Sequence, residues 1–181
     1  MKKYPALFVH EKSNYKKDFR FDCFDEKRNA LIYSGQNPAV YHPPCRLFSR
    51  LKAFAKAEES EKELAFWALD NVRKFGGILE HPYDSSLWIE RNIVKPGLVD
   101  EFGGFSIVFD QFDFGYYTRK RTRLYIVGCS INMLPRLPIR FEYSTRKFSN
   151  LTVKQRSETV PDLIDWFYEV LCIIDKNVKN G

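Results

Sequence analysis

Short apolar runs bounded by turn residues alternate along this chain with two long stretches of helical periodicity. Pro5-Ala6-Leu7-Phe8-Val9 and Pro38-Ala39-Val40-Tyr41 are uninterrupted but too short for helices, which predicts buried strands. From Ser60 onward the apolar positions Leu64, Trp67, Ala68, Val72 and Phe75 recur at helical spacing until Gly76-Gly77 breaks the pattern, and Ser60 with Glu63 has the S-x-x-E form of a capping box. Gly77-Ile78-Leu79-Glu80 then reads as a strand that follows the helix directly. Strand, helix and strand in this order predict a parallel, right-handed crossover. Cys45 and Glu80 fall just past the predicted strand carboxyl ends, the edge where open α/β sheets bind ligands.

Phe105 to Phe109 and Leu124 to Val127 are β-rich runs joined by a polar, aromatic and basic segment, which predicts an antiparallel hairpin or a neighbouring pair whose loop projects Arg119 to Arg123 outward. Thr159 as cap and Pro161 in the first turn announce a final helix with Leu163, Phe167, Val170, Leu171 and Ile174 on one face. The tract from Ser130 to Glu158, with prolines at 135 and 138, has poor periodicity and predicts loop with modest strand content. No repeat or linker divides the chain. The expected architecture is therefore one α/β domain over 1–181, a mostly parallel sheet with helices on both faces and a late antiparallel hairpin.

Composition agrees with a single core, since 181 residues with 44% apolar and 16% aromatic content can bury one well. No stretch approaches the roughly 20 apolar residues that span a bilayer, and Met1-Lys2-Lys3-Tyr4-Pro5 opens no signal-type apolar run; the expectation is a soluble, intracellular protein with no membrane partner. Cys23, Cys45, Cys129 and Cys172 form no C-x-x-C pair and predict free thiols. The net charge of +6 is unevenly placed. Between Gly115 and Lys147 stand Arg119, Lys120, Arg121, Arg123, Arg136, Arg140, Arg146 and Lys147 against the single acid Glu142, which points to a polyanionic partner.

Pro43-Pro44-Cys45-x-x-Phe48-Ser49 resembles the catalytic loop of cytosine-C5 DNA methyltransferases, in which Pro-Cys is followed three residues later by Phe-Ser. Glu80-His81-Pro82 resembles the same family's Glu-Asn-Val or Glu-Asn-Pro segment, and Arg121-x-Arg123 before Leu124 to Gly128 resembles its R-x-R and following strand. Order and separation match that family. From about His42 to Gly128, with the helix after Thr159-Val160-Pro161, the chain is similar to small methyltransferase-like proteins of phages and prophages. The resemblance implies a Rossmann-like methyltransferase domain in bacterial cytoplasm, S-adenosylmethionine as cofactor, and DNA before RNA, or a nucleotide, as partner. It implies that Cys45 adds to C6 of cytosine, Glu80 holds N3 and the exocyclic amine, Arg123 bonds the base oxygen, and Arg121 sets the loop or a phosphate. Arg46 or the arginine pair would lower the thiol pKa. Arg46, Arg119 and Lys120 join the nucleic-acid contacts.

The chain also departs from that family. After Phe8-Val9 it runs His10-Glu11-Lys12-Ser13-Asn14-Tyr15, with no glycine until Gly35, so a glycine-rich cofactor turn is not expected. Arg119 stands where the third motif opens with glutamine. About 30 residues, Cys129 to Glu158, replace the family's sequence-reading domain. The resemblance places a carboxylate for the cofactor ribose after the family's second strand, and Asp22 or Asp25 in Phe21-Asp22-Cys23-Phe24-Asp25 is positioned for that. Three other readings stay open: His42, Cys45 and His81 as zinc ligands; a non-catalytic descendant that binds nucleic acid or a host protein, for example to interfere with restriction and modification; and an enzyme that keeps cysteine addition to the pyrimidine but uses another electrophile or none.

Overall fold

The computed structural model describes residues 2–49 and 57–180. Six strands form one sheet: β1 Tyr4–Leu7, β2 Phe21–Phe24, β3 Ala39–Tyr41, β4 Gly77–Pro82, β5 Phe105–Asp110 and β6 Arg121–Val127. Their order across the sheet is β2-β1-β3-β4-β6-β5. The first four are mutually parallel, while β6 runs antiparallel to both β4 and β5. The late hairpin is thus present, and the chain reverses its direction of winding between β1 and β3. A crevice at such a switch point is where α/β sheets take ligands.

Among the described residues four α-helices, α1 Ser60–Phe75, α2 Leu87–Glu90, α3 Val153–Ser157 and α4 Pro161–Asn180, accompany the sheet. The pleat sends alternate side chains of each strand to opposite faces. Ile78, Leu124, Ile126 and Val40 go to one face and pack on Leu163, Phe167, Val170, Leu171 and Ile174 of α4, the stripe read from the sequence. Leu79, Tyr41, Tyr125 and Val127 go to the other and pack on Ala65, Ala68, Leu69 and Val72 of α1. The buried stripe of α1 is turned slightly from the predicted one, leaving Leu64, Trp67 and Phe75 half-buried at its margins.

Two local expectations are corrected. Ser60 is not a cap: α1 begins after Glu59, which is already helical, no side chain closes that end, and Ser60 Oγ instead donates to Glu58 Oε2 at 3.4 Å. The tract 130–158 contains no strand; it carries short turns of helix and α3, whose Thr152-x-x-Gln155 makes the capping box that Ser60 does not. Gly76-Gly77 ends α1 as expected, for a physical reason visible in the sheet. Gly77 has φ 135°, and a Cβ there would stand 2.3 Å from the Ala39 carbonyl oxygen on β3, so only glycine lets the two strands pair.

Candidate active site at the carboxyl edge of the sheet

The carboxyl ends of β1, β3, β4 and β5 and the start of β6 share one edge, and most of the polar groups singled out above lie along it. Glu80 follows Ile78 on β4 by two residues and therefore points to the α4 face. Its side chain retains only 15% exposure. His42, just past β3, brings Nδ1 to 3.1 Å from Glu80 Oε2, and its Nε2 lies 3.0 Å from the Tyr15 hydroxyl. Gln111, just past β5, donates through Nε2 to Glu80 Oε1 at 3.1 Å and to Thr122 Oγ1 at 2.9 Å. Tyr15, His42, Glu80, Gln111 and Thr122 thus make a continuous polar line from five parts of the chain.

Burial by itself would raise the Glu80 carboxyl, but the hydrogen bond and charge of His42, with Lys120 and His81 beside it, outweigh that and hold it below the ordinary glutamic value. An ionised Glu80 accepts, so His42 Nδ1 carries the proton of that bond. Burial holds the Tyr15 phenol protonated far above its usual range. Its hydroxyl donates to a neutral His42 and accepts from a charged one, so the bond is kept in either state. One acceptor is left over: Gln111 Oε1 is buried and has no partner among the described residues.

Cys45 sits at the mouth of this line, exposed and unpaired. Its thiol is nevertheless raised, first by the desolvating crowd around the sulfur and then by the Glu80 charge, with Lys120, its own backbone and Arg46 pulling the other way. The expected lowering by arginines is therefore reversed. Arg46 is turned to Glu61, at 3.2 and 2.5 Å. Lys120, half-buried over the Tyr116 ring, has its ammonium lowered by burial, while Glu80 and Cys45 oppose the shift. Lys120 is the cation that the site holds near sulfur and carboxylate.

Arg123 goes elsewhere. It pairs with His81 across β4 and β6, so both side chains leave the sheet on the α1 face, opposite to Glu80. There the Arg123 guanidinium donates to the carbonyls of Ile93 at 3.0 Å and Val94 at 2.5 Å and to Ser106 Oγ at 3.1 Å, over the Trp88 ring. It is buried rather than projected outward, as the loop reading had it. Arg121 is exposed and stacks on Tyr83 at 3.8 Å, and Arg119 reaches Asp110 at 3.5 Å. Cys45 and Glu80 share a rim; the two arginines of the R-x-R segment do not complete it. His42 and His81 likewise lie on opposite faces, and among the described residues no three His, Cys, Asp or Glu groups are placed to hold a metal.

A cleft of about 770 Å³ opens where β1 and β3 diverge, lined in part by Phe8, Glu11, Asp25, Asn29, Pro44 and Arg46. Its size suits a small cofactor. Its residues do not make the cradle that S-adenosylmethionine calls for. Asp25 is buried, ion-paired with Lys16 and bonded to the Arg28 amide at 2.8 Å. Asp22 is paired with Arg28. Where the glycine turn would run, Phe8 takes a left-handed φ of 62° and packs its ring on Trp67 at 6.0 Å. The turn is made, but with a side chain in the way.

His42, Tyr15, Gln111 and Thr122 were not singled out for this line by the sequence, although His42 and Gln111 follow strand ends directly and that position was the available signal. The chain matches no profile of a known protein family and no curated protein.

Proposed function

We propose that the carboxyl edge of the sheet binds a pyrimidine base, in the manner of a minimal cytosine-C5 methyltransferase-like protein, and that Cys45 adds reversibly to C6 of that base. The observation that carries this reading is the buried, ionised Glu80, held by His42 and Gln111 beside the exposed Cys45. A fixed carboxylate accepts hydrogen bonds, and the exocyclic amine of cytosine supplies N–H donors. Lys120 is the group available to the ring oxygen, the role that the resemblance gave to Arg123. The sheet agrees with the same lineage: it is mostly parallel, with β6 antiparallel between β4 and β5, and the resemblance implies a Rossmann-like domain.

The chemistry then follows from the groups present. The thiol proton leaves to solvent as sulfur bonds to C6, and C5 takes a proton from water. Loss of the original C5 hydrogen and expulsion of sulfur return cytosine with that hydrogen exchanged. No methyl-transfer step is derived, because the cleft lacks a cofactor cradle. The raised thiol makes the thiolate the scarce species at neutral pH, so exchange rises about tenfold per unit as pH climbs toward the thiol pKa. A second reading, the non-catalytic binder, draws on the tied-up Asp22 and Asp25 and on that same raised thiol.

The test is deuterium exchange at C5 of cytosine, supplied as dCTP and as an oligonucleotide, read by mass spectrometry of the recovered base between pH 7 and 9. The expected result is exchange that rises with pH and disappears in Cys45→Ser. Absence of exchange at pH 9 in the parent protein, with base binding retained, leaves the binder reading in its place.

A further inference from the structure

The tract that replaces a sequence-reading domain carries a feature that the site does not use. Phe141 and Tyr143 are 92% and 90% exposed, nearly the full surface of each residue, on a segment that is itself exposed from Arg136 to Lys147 except at Ser144. Two large rings held in water without a packing role call for a partner. The segment is fastened on both sides of them. The Arg140 amide donates to Asp113 Oδ1 at 3.3 Å, Ser144 Oγ donates to Thr118 Oγ1 at 3.1 Å, and Thr118 Oγ1 donates to the Arg146 carbonyl. Asp113 and Thr118 both belong to the β5–β6 connection, so the rings bulge from a strap tied to the rim that bears Lys120. Lys120 itself donates to the Arg156 carbonyl at 3.4 Å, which ties α3, further along the same tract, to the site.

Charge identifies the occupant. Arg136, Arg140, Arg146 and Lys147 flank the rings, Glu142 is the acid among them, and none of the four cations is ion-paired with a carboxylate among the described residues. Exposed aromatics beside unpaired cations are the two components of a surface that stacks bases and tracks phosphates without reading base edges. A duplex offers its phosphates but hides its base faces; a single strand offers both.

We infer that the strap from Arg136 to Lys147 binds single-stranded DNA, stacking bases on Phe141 and Tyr143 and leading the strand toward the Cys45 rim. This rests on the proposed base chemistry, with DNA taken from the methyltransferase likeness behind that reading, and extends it: a single strand brings its cytosine already unstacked, so no base has to be flipped from a helix.

Fluorescence anisotropy of a labelled 20-nucleotide single strand, its duplex and the matching RNA tests the inference on the full chain. The expected result is single-stranded DNA bound at least 10-fold more tightly than duplex or RNA. Phe141→Ala with Tyr143→Ala should weaken it roughly 10-fold or more per ring, with the salt dependence unchanged. Arg140→Ala with Arg146→Ala should lower the slope of log affinity against log salt by about 1.4. Thermal unfolding should not move in the ring variant, since those side chains pack on nothing. Equal affinity in parent and ring variant, or a preference for duplex or RNA, overturns the inference. So does the absence of binding together with a dimer that the ring variant dissolves, which would make the rings an interface between copies. Exchange with dCTP as substrate is independent of the strap, so a failed strap and a failed site are told apart.

Discussion

Glu80 and His81 are neighbours in sequence and opposites in surroundings. Glu80 faces a line of hydrogen-bonding groups that opens at Cys45. His81 faces Phe48 and Trp88, wholly buried, with neither ring nitrogen in a well-formed hydrogen bond among the described residues and the Pro44 backbone as a weak polar neighbour. The same division recurs across the hairpin, where Thr122 joins the polar line and Arg123 is shut into the aromatic side. Four polar residues at the end of two strands therefore do two jobs. On the α4 face the polarity is connected and reaches solvent, the condition for binding and proton transfer. On the α1 face it is enclosed, and serves to fasten the loop after α2 to the sheet.

The comparison breaks first at Cys45. Cys45→Ser should remove C5 hydrogen exchange by at least about 1,000-fold while leaving the melting temperature in place, because the side chain is exposed. Glu80→Gln should lower exchange roughly 100-fold, the scale of losing one preorganised charge, and should also change acid behaviour. A carboxyl held below its ordinary 4.5 contributes stability that is present above that pH and is lost as the solution is acidified through the folded value. The variant should lose that dependence.

On the enclosed face the effects should be on folding alone. His81 is held neutral by burial, against the pull of the Glu80 charge and the Pro44 backbone, and its pKa falls to about 4. The unfolded chain takes up that proton near 6.5, so stability declines as pH drops from 6.5 to 4, by about 3 kcal/mol in all. His81→Leu should flatten that interval in denaturant titrations, with exchange rates kept. Arg123→Met should cost about 1–3 kcal/mol by stranding the carbonyls of Ile93 and Val94, again without loss of exchange. If exchange collapses in Arg123→Met while the fold survives, the two faces are not separate. The smallest effect belongs to neither face: Thr152→Ala should cost about 1 kcal/mol through the capping box of α3.

Five of the strands, both long helices, the parallel order and the late hairpin were legible because each has a pattern of its own and because glycine punctuates the chain at Gly76-Gly77; β2, Phe21–Phe24, was not read from a pattern of its own. The rim positions of Cys45 and Glu80 were legible by the same rule, as residues placed after strand ends. The fate of Arg123 was hidden in a parity. Whether a residue near a strand end meets its neighbour's partner or points away depends on register, and register follows from pairing across β4 and β6. Tyr15 was invisible for a related reason, since its meeting with His42 is a product of the fold and of no local pattern, and Gln111 carried no signal beyond its place after a strand end. The strap was read only as charge. Its aromatic exposure depends on what Asp113 and Thr118 fasten, contacts that sequence alone does not announce.

Phe8 holds a backbone shape that glycine adopts freely, and its ring lines the wall of the β1–β3 cleft. Stabilising replacements ordinarily add atoms; at this one corner, taking them away would relax the main chain and widen the empty space in a single stroke. A glycine at position 8 is thus the shortest route by which this scaffold could be given room for an adenosyl group.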